Sequence, residues 1–556
     1  MRSLTPAQKR LILIAALSAA VLAAVLGVLL FLTHRRTDRA AYYASLADGR
    51  ALVYQNGTPS SADWQLADGA AYLSLSDAQA LFSDRWYEDP ETGTVRLALY
   101  DSLVILTESV RGYERAGAFH ALPDAPLLRI GGQTYLSLDF LARTEGFSFS
   151  VCEDPEALIL WSDGTAVTDA SLTSAARLRT GDSIFSPAAD ILPAGTAVRL
   201  PADAPSSGLV AVLTEGGAYG YVSARSLSGQ ASGFVSAPAS VTAAETHLFS
   251  PALPNVLFHY VDNAERAEKR LEEGLDAVTN IGVLCPTCLT IADTAGNLAD
   301  ASSERYVTLA HEAGMDVWLM AENINRQVSA AELFASSSAR DALSENILAA
   351  ARRTGADGIN LDVERLKADT SFHYVQFVRE FAARCHAEGL VLSVCVPPPY
   401  PFNRHLNFPE LAAYADYLVV MIYNEAWKDP GPSASLPYVK TSLDYCAELF
   451  PAEQTIAGLC TEARKWRVTD AGTEKPLLSM KDGQALLEQT PDAEWLSDLG
   501  CYYAEVPDEG GPWQVWFEDE RAMRERLALM RTYRPAGYSV WVWGLESDGF
   551  FELLGE

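Results

Sequence analysis

Apolar and polar positions along this chain fall into three successive patterns. Residues 11–33 form a run of 23 without a charged side chain. As a helix rising about 1.5 Å per residue, that run is long enough to cross the core of a bilayer. Behind it comes a duplicated pattern of strand, helix, strand, turn and strand, and then, over 176–229, short apolar strands broken by Gly and Pro. From residue 254 onward, apolar runs alternate with helical stretches of about ten to twenty residues. The expected strands there are 256–261, 280–284, 316–320, 358–364, 390–396, 417–424, 455–458 and 538–543. Eight such units predict an α/β fold closed as a (β/α)8 TIM barrel at the C-terminal end.

One strand of that series is chemically unusual. Residues 357–364 read Asp-Gly-Ile-Asn-Leu-Asp-Val-Glu. Ile359, Leu361 and Val363 alternate with Asn360, Asp362 and Glu364, so one strand face is aliphatic and the other carries an amide and two carboxylates. A polar row is ordinary on a strand with one solvated face. Here strands and helices alternate on both sides, which argues for a covered parallel sheet whose strands turn one face into a barrel. Two close carboxylates are costly in that interior unless they do something. Like charges at that range also hold one proton more tightly, which suits an acid catalyst working near neutral pH.

Composition narrows the picture. A chain of 556 residues exceeds one core, and two to four domains are expected. Net charge is −30; the first 39 residues hold six Lys/Arg against Asp38 alone, so the remainder carries −35. Such a body repels phosphates and excludes nucleic acid as a partner. His34-Arg35-Arg36 follow the apolar run directly, which favours an uncleaved anchor, with cleavage in its Ala-rich stretches as the alternative. Basic residues flank both ends, so orientation rests on the short tail lying inside and the large acidic body outside. Of eight scattered cysteines only Cys285 and Cys288 are close, and no second pair or His cluster accompanies them, so no metal site is expected.

The 357–364 octet resembles the strand-four hallmark of the family 18 glycoside hydrolases, Asp-x-x-Asp-x-Asp-x-Glu, with Asp357, Asn360, Asp362 and Glu364 at the four places. Asn at the second place departs from the general pattern and is the usual form in the bacterial branch that includes spore-germination cortex hydrolases. Met421-Ile422-Tyr423-Asn424 is similar to the family's Met-x-Tyr-Asp on the sixth strand, with Asn424 in place of Asp. Gly537-Tyr538-Ser539-Val540-Trp541-Val542-Trp543-Gly544 resembles the family's last strand, whose Trp forms the floor under the reacting sugar. Residues 431–438 and 516–520 are similar to the loop after strand six and the segment before the last helix in that bacterial branch.

Most glycosidases place two carboxylates on opposite sides of the scissile bond. Asp362 and Glu364, two apart on one strand and roughly 6.5–7 Å apart at Cα, cannot do so. The resemblance implies substrate-assisted retention, in which the sugar's own N-acetyl carbonyl attacks the anomeric carbon. It makes Glu364 the general acid and then base, Asp362 the residue that orients the acetamide, and Tyr423 a donor to the acetamide oxygen. It places Asn360, Met421, Asn424, Trp541 and Trp543 in substrate binding, and Asp357 and Gly358 in structural support. Neither cofactor nor metal is implied.

The modules ahead of the barrel carry weaker resemblances. Tyr72-Leu73-Ser74-Leu75 recurs at 135–138, and Glu88-Asp89-Pro90-Glu91 recurs at 153–156, offsets of 63 and 65 residues. This duplication is similar to the stalk domain named after the N-terminal domain of copper amine oxidases, without copper ligands. Residues 176–229 resemble a bacterial SH3-like β-barrel, and 230–250, rich in Ser, Ala, Thr and Pro, read as a linker. The expected organisation is a tail and transmembrane anchor over 1–39, a stalk-type α+β domain over 40–170, the SH3-like domain, the linker, and the barrel over 251–556. The implied protein is a single-pass cell-membrane glycosidase, its catalytic domain outside, acting on peptidoglycan or another N-acetylglucosamine-containing glycan such as chitin. The alternative is a catalytically silent, lectin-like barrel of the same family.

Overall fold

The computed structural model describes residues 5–201, 204–205, 207–238, 255–324, 328–470 and 472–556. The backbone forms two compact units: Met1–Trp86 with Leu106–Tyr113 and Phe119–Ala243, and Tyr87–Ile105 with Glu114–Ala118 and Ala244–Glu556. This division cuts through the segment expected as one domain over 40–170, because Tyr87–Ile105 groups with the barrel.

In the second unit eight parallel strands close on themselves: β1 (Val256–His259), β2 (Val283–Pro286), β3 (Asp316–Glu322), β4 (Gly358–Asp362), β5 (Val391–Val396), β6 (Tyr417–Val420), β7 (Thr455–Cys460) and β8 (Gly537–Trp541). Neighbours pair in chain order, β8 pairs with β1 and β7, and all eight expected strands are present. Strand alternation sorts the side chains into two cores. Phe258, Cys285, Trp318, Met320, Cys395, Tyr417 and Ile456 fill the interior. Leu257, Leu284, Leu319, Ile359, Leu361 and Val394 face outward, in one core with the helices Ser337–Thr354 and Ala368–Ala387. Gly358 is glycine for space: a Cβ there would lie 2.6 Å from Trp318 Cδ1 and 2.7 Å from the Val391 carbonyl oxygen.

The strand ends differ from expectation where it matters. β4 stops at Asp362, β6 at Val420 and β8 at Trp541, so Glu364, Tyr423 and Trp543 stand on the loops that follow. Between β7 and β8 the chain builds an antiparallel sheet from Glu462–Thr469 to Trp513–Phe517 with the helix Met480–Glu488. Its core is Leu478, Ala504, Val515 and Phe517, and the sequence reading assigned it no structure.

In the first unit, helix Pro6–His34 has no buried residue. The repeated Tyr-Leu-Ser strands Ala70–Ser74 and Gln133–Ser137 lie antiparallel with Leu73 opposite Leu136, and each runs into a helix, Leu75–Leu81 and Leu138–Glu145. A seven-stranded antiparallel sheet runs from Ala166–Leu172 to Leu227–Phe234, so residues 230–234, expected in the linker, are strand. Residues 239–250 of that linker, and 251–254 of the expected barrel, lie outside the described residues.

Candidate active site

The carboxyl ends of the barrel strands open into a cleft of about 870 Å³. Asp362, Glu364, Met421, Tyr423, Asn424 and Trp541 all line it. Asp362 ends β4 on its inward face and is buried. Burial, then the charges of Glu364 and Glu322, push its carboxyl up to about 8. Among the described residues its Oδ1 is buried without a hydrogen-bond partner.

Glu364 stands where the chain has left the ladder. Its backbone N–H donates to Asn323 Oδ1 at 2.9 Å, and Asn323 Nδ2 donates back to its carbonyl at 3.2 Å. One amide thus clamps both sides of the residue, and Arg365 then turns the chain away with a φ of 62°. Burial raises the Glu364 carboxyl, Arg365 lowers it and Glu322 raises it, with a net upward shift. A carboxylic acid held above its ordinary range keeps its proton to higher pH than a solvated one and can donate it to a leaving group.

Tyr423 approaches from the loop after β6. Gly458 on β7 leaves room for its ring; a Cβ there would sit 3.0 Å from Tyr423 Cε1. Burial first, then Cys460, Cys395, Asp362 and Glu364, push the phenol well above its usual range, so it stays a neutral donor. Asn424 has a φ of 60° and lines the cleft without charge. The carboxylate of its neighbour Glu425 is engaged by the 431–438 loop, accepting from Ser435 N at 2.7 Å and Ser435 Oγ at 3.1 Å. Exposed Trp427 and Phe402 stand on the rim.

Two residues expected in substrate binding, Trp543 and Asn360, sit outside the cleft, and Asp357 stands apart from it. Trp543 is buried in the outer core, with the Arg270 guanidinium 4.9 Å from its ring and His259 edge-on. β8 ends at Trp541, so the alternation that would give the two tryptophans one face stops before Trp543. Asn360 is fully buried: its Nδ2 donates to Ser393 Oγ at 2.8 Å and Cys395 Sγ donates to its Oδ1 at 3.2 Å, both on β5. It supports the floor and does not line the cleft. Asp357 precedes β4 and ties it to β3, accepting from Val317 N at 2.8 Å with His311 Nε2 also 2.8 Å away.

The sequence reading missed Glu322, Asn323 and Tyr374. Glu322 and Asn323 close the apolar run 317–321, so the rule that singled out Glu364 applies to them too. Tyr374 comes from the helix Ala368–Ala387, lines the cleft and has a buried hydroxyl without a partner among the described residues. All eight cysteines are reduced and buried, Cys285 and Cys288 included.

Comparisons with known proteins bear on this site. Residues 325–548 match Glycosyl hydrolases family 18. The uncharacterized glycosylase YvbX of Bacillus subtilis is 22% identical over 275 residues, 47% of this chain and 80% of that protein. The cortical fragment-lytic enzyme of Bacillus subtilis is 25% identical over 226 residues, 38% of this chain and 52% of the enzyme, so the match spans about half its length. The crystal structure of the spore cortex-lytic enzyme SleL of Bacillus megaterium is similar with a TM-score of 0.48 and 18% identity, over 55% of this chain and 75% of that one. The chain therefore contains a family 18 glycosyl hydrolase domain.

Proposed function

We propose that this chain is a membrane-anchored N-acetylglucosaminidase that cuts the β-1,4 bond after N-acetylglucosamine in peptidoglycan by substrate-assisted retention. The observation that carries it is the convergence of Asp362, Glu364, Tyr423 and Trp541 on one cleft, with both carboxylates from a single strand end. Glu364 gives its proton to the leaving glycosidic oxygen. As that bond breaks, the acetamide carbonyl oxygen bonds to the anomeric carbon and closes an oxazolinium ring. The unpartnered Asp362 Oδ1 suits the acetamide N–H, whose proton grows more acidic as the ring forms. The neutral Tyr423 phenol suits the acetamide oxygen, and Trp541 offers a flat apolar face to the sugar. Water then attacks the anomeric carbon, Glu364 takes its proton, and the β configuration is retained.

Peptidoglycan is favoured over chitin because the family 18 relatives include a cortical fragment-lytic enzyme and because an exposed apolar helix precedes the body. In this reading the stalk-type and SH3-like regions space the barrel from the membrane. The test is the full chain in detergent beside Glu364→Gln, each given vegetative and cortex peptidoglycan and N-acetylglucosamine oligomers. Mass spectrometry should find new N-acetylglucosamine reducing ends with the wild type and at least about 10²-fold fewer with the variant. Glycan binding without cleavage of any substrate would sink the enzyme reading and leave the lectin-like one.

A further inference from the structure

The loop after β6 and the sheet inserted after β7 bring two cations to the mouth of the cleft. Trp427 lines the cleft and is 58% exposed. Lys475 Nζ lies 4.4 Å from the centre of its ring, 5.7 Å from that of Trp466, and donates to the Trp427 carbonyl at 2.6 Å. The Arg464 guanidinium lies 5.8 Å from the Trp427 ring. Arg464 shares a face of the strand Glu462–Thr469 with Trp466, whose Nε1 donates to the Gly431 carbonyl at 3.1 Å and so fixes that face against the loop. Arg464 also lines a narrow recess beside the cleft, and Asn424 lines both. Among the described residues neither cation has a carboxylate within ion-pair distance, and Arg464 makes no hydrogen bond, whereas Arg467 on the same strand pairs with Asp508 and Glu474. An aromatic face leaves a stacked cation its charge and its N–H donors. The polar groups nearby do not cancel them. Asn424 is an amide, and Glu425 accepts from Ser435. Glu462 is within electrostatic reach of Arg464, but burial leaves its carboxyl above the usual range. Exposed Lys428 and Asp429 follow Trp427 and offset each other.

We infer that Arg464 and Lys475 are specificity-determining residues, binding a carboxylate carried on a substituent of the glycan whose sugar lies against Trp427. This rests on the hydrolase reading proposed above and narrows its substrate to a glycan with acidic substituents. A plain N-acetylglucosamine chain offers the two cations only hydroxyls and amides. A peptidoglycan strand offers them a lactyl carboxylate where the stem peptide is absent and the peptide's own carboxylates where it is present. The Arg464 guanidinium suits a carboxylate through paired N–H donors, and Lys475 adds a point charge from the other side of the contact. Both stand at the rim, away from the reacting bond, so they hold the ground state and the transition state alike and act on KM rather than kcat. On a chain of −30 they also give an acidic strand a local point of attraction on a body that otherwise repels it.

The test compares the full chain in detergent with Arg464→Gln combined with Lys475→Gln. The substrates are the neutral N-acetylglucosamine tetramer, peptide-free glycan strands with free lactyl carboxylates, and strands that keep their stem peptides. The double variant should lose about tenfold more kcat/KM on the acidic strands than on the tetramer, through KM. Greater loss on peptide-free strands assigns the carboxylate to the lactyl group, and greater loss on peptide-bearing strands assigns it to the peptide. Arg464→Lys combined with Lys475→Arg keeps both charges and should recover most of the preference; a merely structural role would not sort substrates by charge. Raising salt from about 0.1 to about 1 M shortens the screening length from roughly 10 to roughly 3 Å and should lower the wild type's preference for acidic strands. In the double variant only the repulsion of the acidic body is left to screen, so its preference should not fall. The salt dependence of the wild type gives a reading even where the double variant does not fold. Equal losses on the tetramer and the acidic strands, or a wild-type preference that salt does not lower, overturn the inference alone. A wild type that cleaves none of the three substrates overturns the hydrolase reading and this inference with it.

Discussion

At the scale of single residues, burying Asp362 works against the fold that carries it. Its carboxyl is pushed to about 8, whereas an unfolded Asp titrates near about 3.9. At pH 3 both states hold the proton. Between the two values the unfolded chain releases it and the folded chain keeps it, so stability falls as pH rises, and the loss is complete only above the folded value. Asp362→Asn removes this slope. The variant should be inactive, yet more stable than wild type near pH 7.5 by on the order of a few kcal/mol, with the advantage fading towards pH 4. Urea midpoints of both proteins at the two pH values check it; a difference that does not change with pH rules it out. Asp362 could be found in the sequence because strand parity sets a face, and a carboxylate on an inward face asks for a reason; Glu364, past the strand end, was legible through the spaced motif instead. Trp543 shows where that rule ends: parity predicts nothing once the strand has stopped. Glu322 was overlooked because it is one carboxylate behind an apolar run, and only the register shows that it faces Asp362.

Elements are held together by a second set of buried charges. Arg340, on the helix Ser337–Thr354, donates to Asp89 Oδ2 at 3.0 Å, to Glu380 at 2.8 and 3.1 Å and to the Phe334 carbonyl at 2.8 Å. Arg96 lies 3.5 Å from Asp89 and 3.4 Å from Glu380. Burial opposes the Asp89 charge, but the Thr92 N–H, Arg96 and Arg340 outweigh it and hold the carboxyl below its usual range. Two residues on, Glu91 accepts from Ser336 Oγ at 2.8 Å and Ser338 N at 3.0 Å, at the start of that same helix. The first Glu-Asp-Pro-Glu copy is thus a clamp on a barrel helix, while the second lies at the turn between the paired strands Phe147–Glu153 and Glu156–Ser162. The duplication could be read from the sequence; the divergence of its copies could not, because it depends on an arginine about 250 residues away. Arg340→Met leaves two buried carboxylates with one cation and should lower the stability of the barrel unit by about 3–5 kcal/mol. Arg199→Met breaks an ion pair with half-exposed Asp169 and should cost about 0–1 kcal/mol. Denaturant midpoints for the two variants decide it, and equal losses would mean that the buried network adds nothing. The insertion between β7 and β8 escaped the sequence reading for another reason: its strands are short and mix tryptophans with cations, as in Lys465-Trp466-Arg467, so neither period dominates.

For the whole molecule, the proposed membrane anchoring has to be reconciled with so acidic a chain. Beyond residue 39 it carries −35, which repels anionic lipid, and six cations flanking one helix are too few to offset that over the body. Helix Pro6–His34 is 29 residues, about 44 Å at 1.5 Å each against a hydrocarbon core of about 30 Å. None of its side chains is buried against protein, so its apolar surface is free to meet lipid in the proposed arrangement. Attachment through such a helix is hydrophobic and should ignore salt, whereas attachment through the basic flanks should be lost as salt screens them. The full chain should therefore stay with the membrane fraction through about 1 M salt, where the screening length is roughly 3 Å, and through an alkaline wash. Deleting residues 1–34 should release it while preserving cleavage of soluble N-acetylglucosamine oligomers. The deletion stops there because Thr37 N donates to the Ala188 carbonyl and Arg39 pairs with Asp190, so the chain is already part of the folded body at that point. N-terminal sequencing of the membrane-bound protein separates anchor from leader: a mature chain that begins after the apolar run would show the helix to be removed, and retention would then have to come from the modules ahead of the barrel.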